Sequence, residues 1–115
     1  MSNELSKSTC EACKVDAQSL TDKEIKDLAP QIPSWMIHEE DGIKKLISSF
    51  AFCNYEDSVS FANKVAKLAE EEDHHPEIVL EWGNVTVSWW SHKINGLHRN
   101  DFICASKTDN IFKNS

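Results

Sequence analysis

Between Glu70 and Asp101 the sequence EEEDHHPEIVLEWGNVTVSWWSHKINGLHRND carries His74, His75, His92 and His98, four of the five histidines in the chain. An imidazole has an unperturbed pKa of about 6.5, so near neutral pH the same ring can give or take a proton according to its neighbours. Histidines concentrated in one stretch, with carboxylates at both ends of it, therefore point to general acid/base chemistry. Glu70 lies four residues before His74, one helical turn back, where its carboxylate can orient that ring.

Positioning these groups requires a helix end, a hairpin and a helix start. Ile78-Val79-Leu80-Glu81-Trp82 and Val85-Thr86-Val87-Ser88-Trp89-Trp90 are β-branched and aromatic runs separated by Gly83-Asn84, a two-residue hairpin signal. A Gly83-Asn84 turn pairs Trp82 with Val85, Leu80 with Val87 and Ile78 with Trp89 on a buried face, so Trp82 reads as core. The open face then carries Glu77, Val79, Glu81, Thr86, Ser88 and Trp90, and sets His75 across from His92. Pro76 disfavours the helical region at His75, which ends the preceding helix around His74. One histidine in a hairpin is most simply a surface group; three at this register make a site.

The remaining elements follow in order. Residues 1–18 lack periodicity and read as a flexible arm, leaving 19–115 as a single domain. Thr21-Asp22-Lys23-Glu24 is a capping box for a short helix that stops at Pro30. Trp35 to His38 and Ile43 to about Phe52 form a hairpin about Asp41-Gly42. A helix from about Asp57 to Glu72 shows two apolar stripes, Phe61, Val65 and Leu68 beside Val59, Ala62, Ala66 and Ala69. A last helix runs from about His98 or Asn100 toward Ile111, with Asp101 in its first turn, where a carboxylate suits the helix dipole. Hairpins alternating with helices, without a phosphate-binding βαβ loop, imply an α+β fold: a four-stranded antiparallel sheet with three helices on one face, in the order α-β-β-α-β-β-α.

Composition narrows the partners. A formal charge of −7 and a pI near 5.1 disfavour a nucleic-acid surface, which needs clustered Lys and Arg. No stretch approaches the roughly 18 apolar residues of a membrane span, and the N-terminus lacks a secretory apolar region, so the expectation is a cytoplasmic protein with no membrane partner. In that compartment four cysteines read as thiols. Cys10 and Cys13 form a lone CxxC without the second pair that a structural zinc site uses.

The spacing Glu70, His74-His75-Pro76, Trp82, His92, Asp101 resembles the signature of the pterin-4a-carbinolamine dehydratases, and EWGNVTVSWWSH is close to the bacterial branch of that family. The resemblance implies the same α+β fold. It further implies a hydro-lyase acting on 4a-hydroxytetrahydropterin, with His74, His75 and His92 as acid/base and substrate-contacting residues, Glu70 and Asp101 as orienting or binding carboxylates, and Trp35 as a pocket tryptophan. Trp90, on the open face, can stack on the pterin ring or close a subunit contact. The pterin is substrate, so no cofactor and no metal are expected. The partners implied are a homo-oligomer, dimer or tetramer, and an aromatic amino-acid hydroxylase whose pterin is recycled. Two rival readings are a metal-dependent enzyme using the same histidines and a non-catalytic dimerisation cofactor for transcription.

Overall fold

The computed structural model of the protein describes residues 19–114; the expected arm, with Cys10 and Cys13, lies outside them. The elements are α1 (Asp22–Leu28), a 3-10 turn (Ala29–Gln31), β1 (Met36–Glu40), β2 (Ile43–Ala51), α2 (Tyr55–Glu72), β3 (Glu77–Glu81), β4 (Asn84–Trp89) and α3 (Arg99–Lys113). The sheet is antiparallel throughout, in the order β1-β2-β4-β3. This is the α+β fold that the alternation of hairpins and helices implies.

The capping box at α1 forms as its spacing requires, with Glu24 N donating to Thr21 Oγ1 at 3.2 Å and Thr21 N donating to Glu24 Oε1 at 2.8 Å. In the first hairpin Asp41 and Gly42 both have positive φ, 55° and 80°, as a type I′ turn demands. α2 starts at Asn54, whose side chain accepts from Asp57 N at 2.7 Å, and buries Phe61, Val65, Leu68 and Ala69. Of its second apolar stripe Ala66 is exposed and Val59 and Ala62 are half-buried, so one chain covers mainly one stripe. α2 packs on β3 and β4, and α3 on β2 and β4. Between them Leu46, Phe50, Val85, Val87 and Trp89 from the sheet meet Phe102, Ile103 and Ala105 from α3.

The second hairpin departs from its expected register. Glu81 pairs with Asn84 and Ile78 with Val87, so the turn is Trp82-Gly83 and not Gly83-Asn84. The physical reason is backbone freedom: Gly83 takes φ 72° at the second loop position, where a side chain is disfavoured. The turn is also tied down, because Phe52 N donates to Gly83 O at 2.9 Å. A slip of two residues preserves strand parity, so Val85, Val87 and Trp89 still face the core. Trp82, however, leaves the strand for the loop, where it is 71% exposed, and is not core. His75 and His92 likewise lie beyond the ladder and are not cross-strand partners. His92 belongs instead to a tight turn closed by Ser91 N donating to Gly96 O at 2.9 Å.

Candidate active site

The end of α2 decides where each of the two adjacent histidines points. Asp73 closes the helix in the left-handed region, φ 52°, a conformation that Asp tolerates better than most residues. His74 N then donates back to Ala69 O at 3.1 Å. The reversal turns His74 inward and leaves His75 outside.

His74 is 5% exposed. Its ring stacks on Trp89, with centroids 5.5 Å apart and planes 13° from parallel. Its Nε2 lies 2.6 Å from Oδ1 of Asp101, and Asp101 is fully buried. The other carboxylate oxygen, Oδ2, accepts from Ser91 Oγ at 2.8 Å and from His98 N at 2.9 Å. A buried carboxylate surrounded by donors is an acceptor, so His74 Nε2 carries the proton of their shared bond. Asp101 thus ties together three segments: the start of β3, the end of β4 and the N-terminus of α3.

His98 caps α3, its Nδ1 accepting from Asn100 N at 3.2 Å. With Asp101 three residues on, it completes a capping box in which histidine replaces the usual Ser or Thr. The sequence left its role undecided, although the three-residue spacing to an acidic residue is the signal that finds it.

The solvent side carries the other two histidines. His75, its side chain 56% exposed, places Nε2 2.7 Å from Glu70 Oε2. Glu70 therefore orients His75, and not His74 as the helical spacing implies, because the chain leaves the helix at Asp73. His92 is exposed and its ring lies against Trp90, centroids 4.5 Å apart. Lys45 Nζ sits 4.1 Å from the centroid of the Trp90 ring and 3.1 Å from Glu40 Oε1. His75 directly follows buried His74, and His92 directly follows buried Ser91, so the Asp101 bridge fixes the backbone at both points from which an exposed imidazole projects.

Trp35 lies with a different group. It is buried, packs edge-on against Phe50 with centroids 5.9 Å apart, and donates from Nε1 to Asp109 Oδ1 at 2.9 Å. None of the histidines is among these partners. Burial pushes the Asp109 carboxyl above its ordinary pKa, while the Trp35 hydrogen bond and Lys113 oppose the rise. Among the described residues no three His, Cys, Asp or Glu side chains converge as a metal site would need.

The family model described as pterin 4 alpha carbinolamine dehydratase matches residues 18–111. A protein of Nitrosococcus oceani is 51% identical over 110 residues, covering 96% of this chain and 97% of its own. One of Photobacterium profundum is 55% identical over 100 residues, covering 87% and 89%. Both are provisionally named pterin-4-alpha-carbinolamine dehydratase. A crystal structure from Brucella melitensis, described as a transcriptional coactivator/pterin dehydratase, superposes with a TM-score of 0.74 at 28% identity, covering 83% of this chain and 99% of that one. A pterin dehydratase-like RuBisCO assembly factor of the alpha-carboxysome shares the fold, with a TM-score of 0.59 at 24% identity over 68% of this chain and 88% of that one. The chain belongs to the pterin-4a-carbinolamine dehydratase family.

Proposed function

We propose that the protein dehydrates 4a-hydroxytetrahydropterin to the quinonoid dihydropterin and water by proton transfer at His75 and His92. The observation that carries this reading is the pair of solvent-facing imidazoles projecting from two segments joined through His74, Asp101 and Ser91. Loss of the 4a-hydroxyl needs a proton delivered to the departing oxygen and another removed from a ring nitrogen. Two imidazoles meet both needs without a change of redox state.

Within this reading His74 is a positioning group. Its ring is stacked and hydrogen-bonded in the interior, out of reach of a surface-bound pterin, and it acts by fixing the backbone of His75. Glu70, with Oε2 2.7 Å from His75 Nε2, holds the His75 ring in place. Trp90, beside His92, supplies a flat apolar face for the pterin ring. The product suits recycling of the pterin used by an aromatic amino-acid hydroxylase. Exposed apolar residues on both edge strands, Met36 and Ile37 on β1 and Val79 and Leu80 on β3, support a homo-oligomer. Light scattering of the purified chain tests that part.

A coupled assay following decay of 4a-hydroxytetrahydropterin tests the activity, and its response to exhaustive chelation separates this reading from a metal-dependent one. Undiminished acceleration after EDTA treatment is the expected result. Loss of activity on chelation with recovery on added zinc or iron would replace proton transfer by the histidines with metal catalysis.

A further inference from the structure

Lys45 takes no part in the proton transfer proposed above, yet the first hairpin and the end of β4 converge on it. The turn at Asp41-Gly42 pairs Glu40 with Ile43, so Glu40 lies diagonal to Lys45 across the hairpin, within reach of long side chains. Its Oε1 is 3.1 Å from Lys45 Nζ. On the other side β2 pairs with β4, Leu46 with Trp89, which sets Lys45 beside Trp90. Side chains alternate along a strand. Leu46 and Trp89 are buried in the core, so Lys45 and Trp90 meet on the open face.

Lysine side chains mostly stand in solvent. That of Lys45, on an inner strand, is only 15% exposed, and its Nζ lies 4.1 Å from the centroid of the Trp90 ring. This is well within the roughly 6 Å over which an ammonium is drawn to an indole face. The Trp90 ring in turn lies against His92, centroids 4.5 Å apart and planes 41° from parallel. The two exposed imidazoles are therefore held in different ways. Glu70 bonds to the His75 ring, whereas among the described residues no hydrogen bond holds the ring of His92, which rests on Trp90. The tight turn fixes the backbone of His92 through Ser91 and Gly96, and the orientation of its ring is left to the indole.

We propose that Lys45 is a positioning residue: its ammonium, held by Glu40, pins the Trp90 ring in the orientation that presents His92 to the substrate. The kinetic consequence rests on the dehydratase reading; the ring geometry does not. Released from Lys45, the indole is free to turn, and a proton-transfer group displaced by even about 1 Å loses much of its effect.

The test combines NMR of the isotope-labelled full chain, read at the His92 ring C–H signals in the ring current of Trp90, with stopped-flow decay of 4a-hydroxytetrahydropterin. Lys45→Thr suits a strand but is too short to reach the indole, and Lys45→Arg keeps a cation that stacks on aromatic faces. Lys45→Thr should melt as the parent does, move the His92 signals toward their positions in Trp90→Ala, and lower kcat by about 2–10-fold, the scale of one such contact. Lys45→Arg should restore both signals and rate. In the Trp90→Ala background Lys45→Thr should lower kcat no further, because the lysine acts only through that ring. Glu40→Gln alters an exposed side chain and decides the matter should Lys45→Thr melt early: it should move the same signals in the same direction by a smaller amount. The proposal is overturned by His92 signals that stay in place in the folded variant, by full kcat in Lys45→Thr, by equal losses in the Thr and Arg variants, or by an undiminished loss when Trp90 is absent. A parent that does not accelerate the decay at all removes the dehydratase reading instead, and the His92 signals alone then decide whether Lys45 positions the ring.

Discussion

His74 Nε2 and Asp101 Oδ1 lie 2.6 Å apart in the interior, joining the end of the central helix to the first turn of the last. Removing either side strands buried polar groups. Asp101→Ala leaves His74 Nε2, Ser91 Oγ and His98 N without their acceptor and is expected to cost about 3–5 kcal/mol. His74→Ala opens a gap against Trp89 as well. Chemical denaturation of both single variants and the double variant checks the linkage. The double variant should lose less than the sum of the singles by about 0.5–3 kcal/mol, as residues in one network do.

The exposed histidines behave differently. His75→Gln and His92→Gln should each depress kcat by about 10²–10⁴-fold, the usual contribution of a general acid or base. Their melting temperatures should stay near that of the parent, since neither ring fills the core. Steady-state kinetics beside thermal melts separate these variants from His74→Ala, which loses stability and activity together.

Trp90→Ala removes the face on which His92 rests and over which Lys45 sits. An aromatic contact of this kind contributes about 0.5–1.5 kcal/mol, so kcat/KM should fall by a factor of roughly 2–10. The fall should appear without loss of secondary structure by circular dichroism.

Asp109 gives a pH dependence of definite sign. Its carboxyl pKa is raised by burial in the folded chain, so the folded state holds that proton more tightly than the unfolded state does. Its contribution is fully present below the ordinary carboxylate pKa and is lost as pH rises through the raised value. Asp109→Asn, which keeps an acceptor for Trp35, should therefore gain stability relative to the parent as pH rises out of the acidic range toward neutrality. Urea melts of both chains at matched pH values measure that difference.

Trp82→Ala should change stability by no more than about 0.5 kcal/mol, as surface substitutions do. The alternation of strands and helices made the fold legible, and parity survived the two-residue slip because strand faces repeat every second residue. The slip itself was not legible: both Gly83-Asn84 and Trp82-Gly83 are acceptable two-residue loops, and the choice rests on a long-range bond from Phe52 N to Gly83 O. Burial of His74 was hidden for a similar reason. Helical spacing put Glu70 beside it, whereas a left-handed Asp73 redirects the chain and hands Glu70 to His75. Asp101 was legible as a carboxylate in the first turn of the last helix, and its bond to His98 N follows from capping-box spacing, but no local pattern joins it to Ser91 or His74.

Stopped-flow decay of 4a-hydroxytetrahydropterin with equal concentrations of parent and His92→Gln tests proton transfer at the surface histidines most directly. The prediction is strong acceleration by the parent and near-background decay with the folded variant. Decay equally fast with both proteins, their melts being the same, would contradict the assignment of His92 and with it the proposed site.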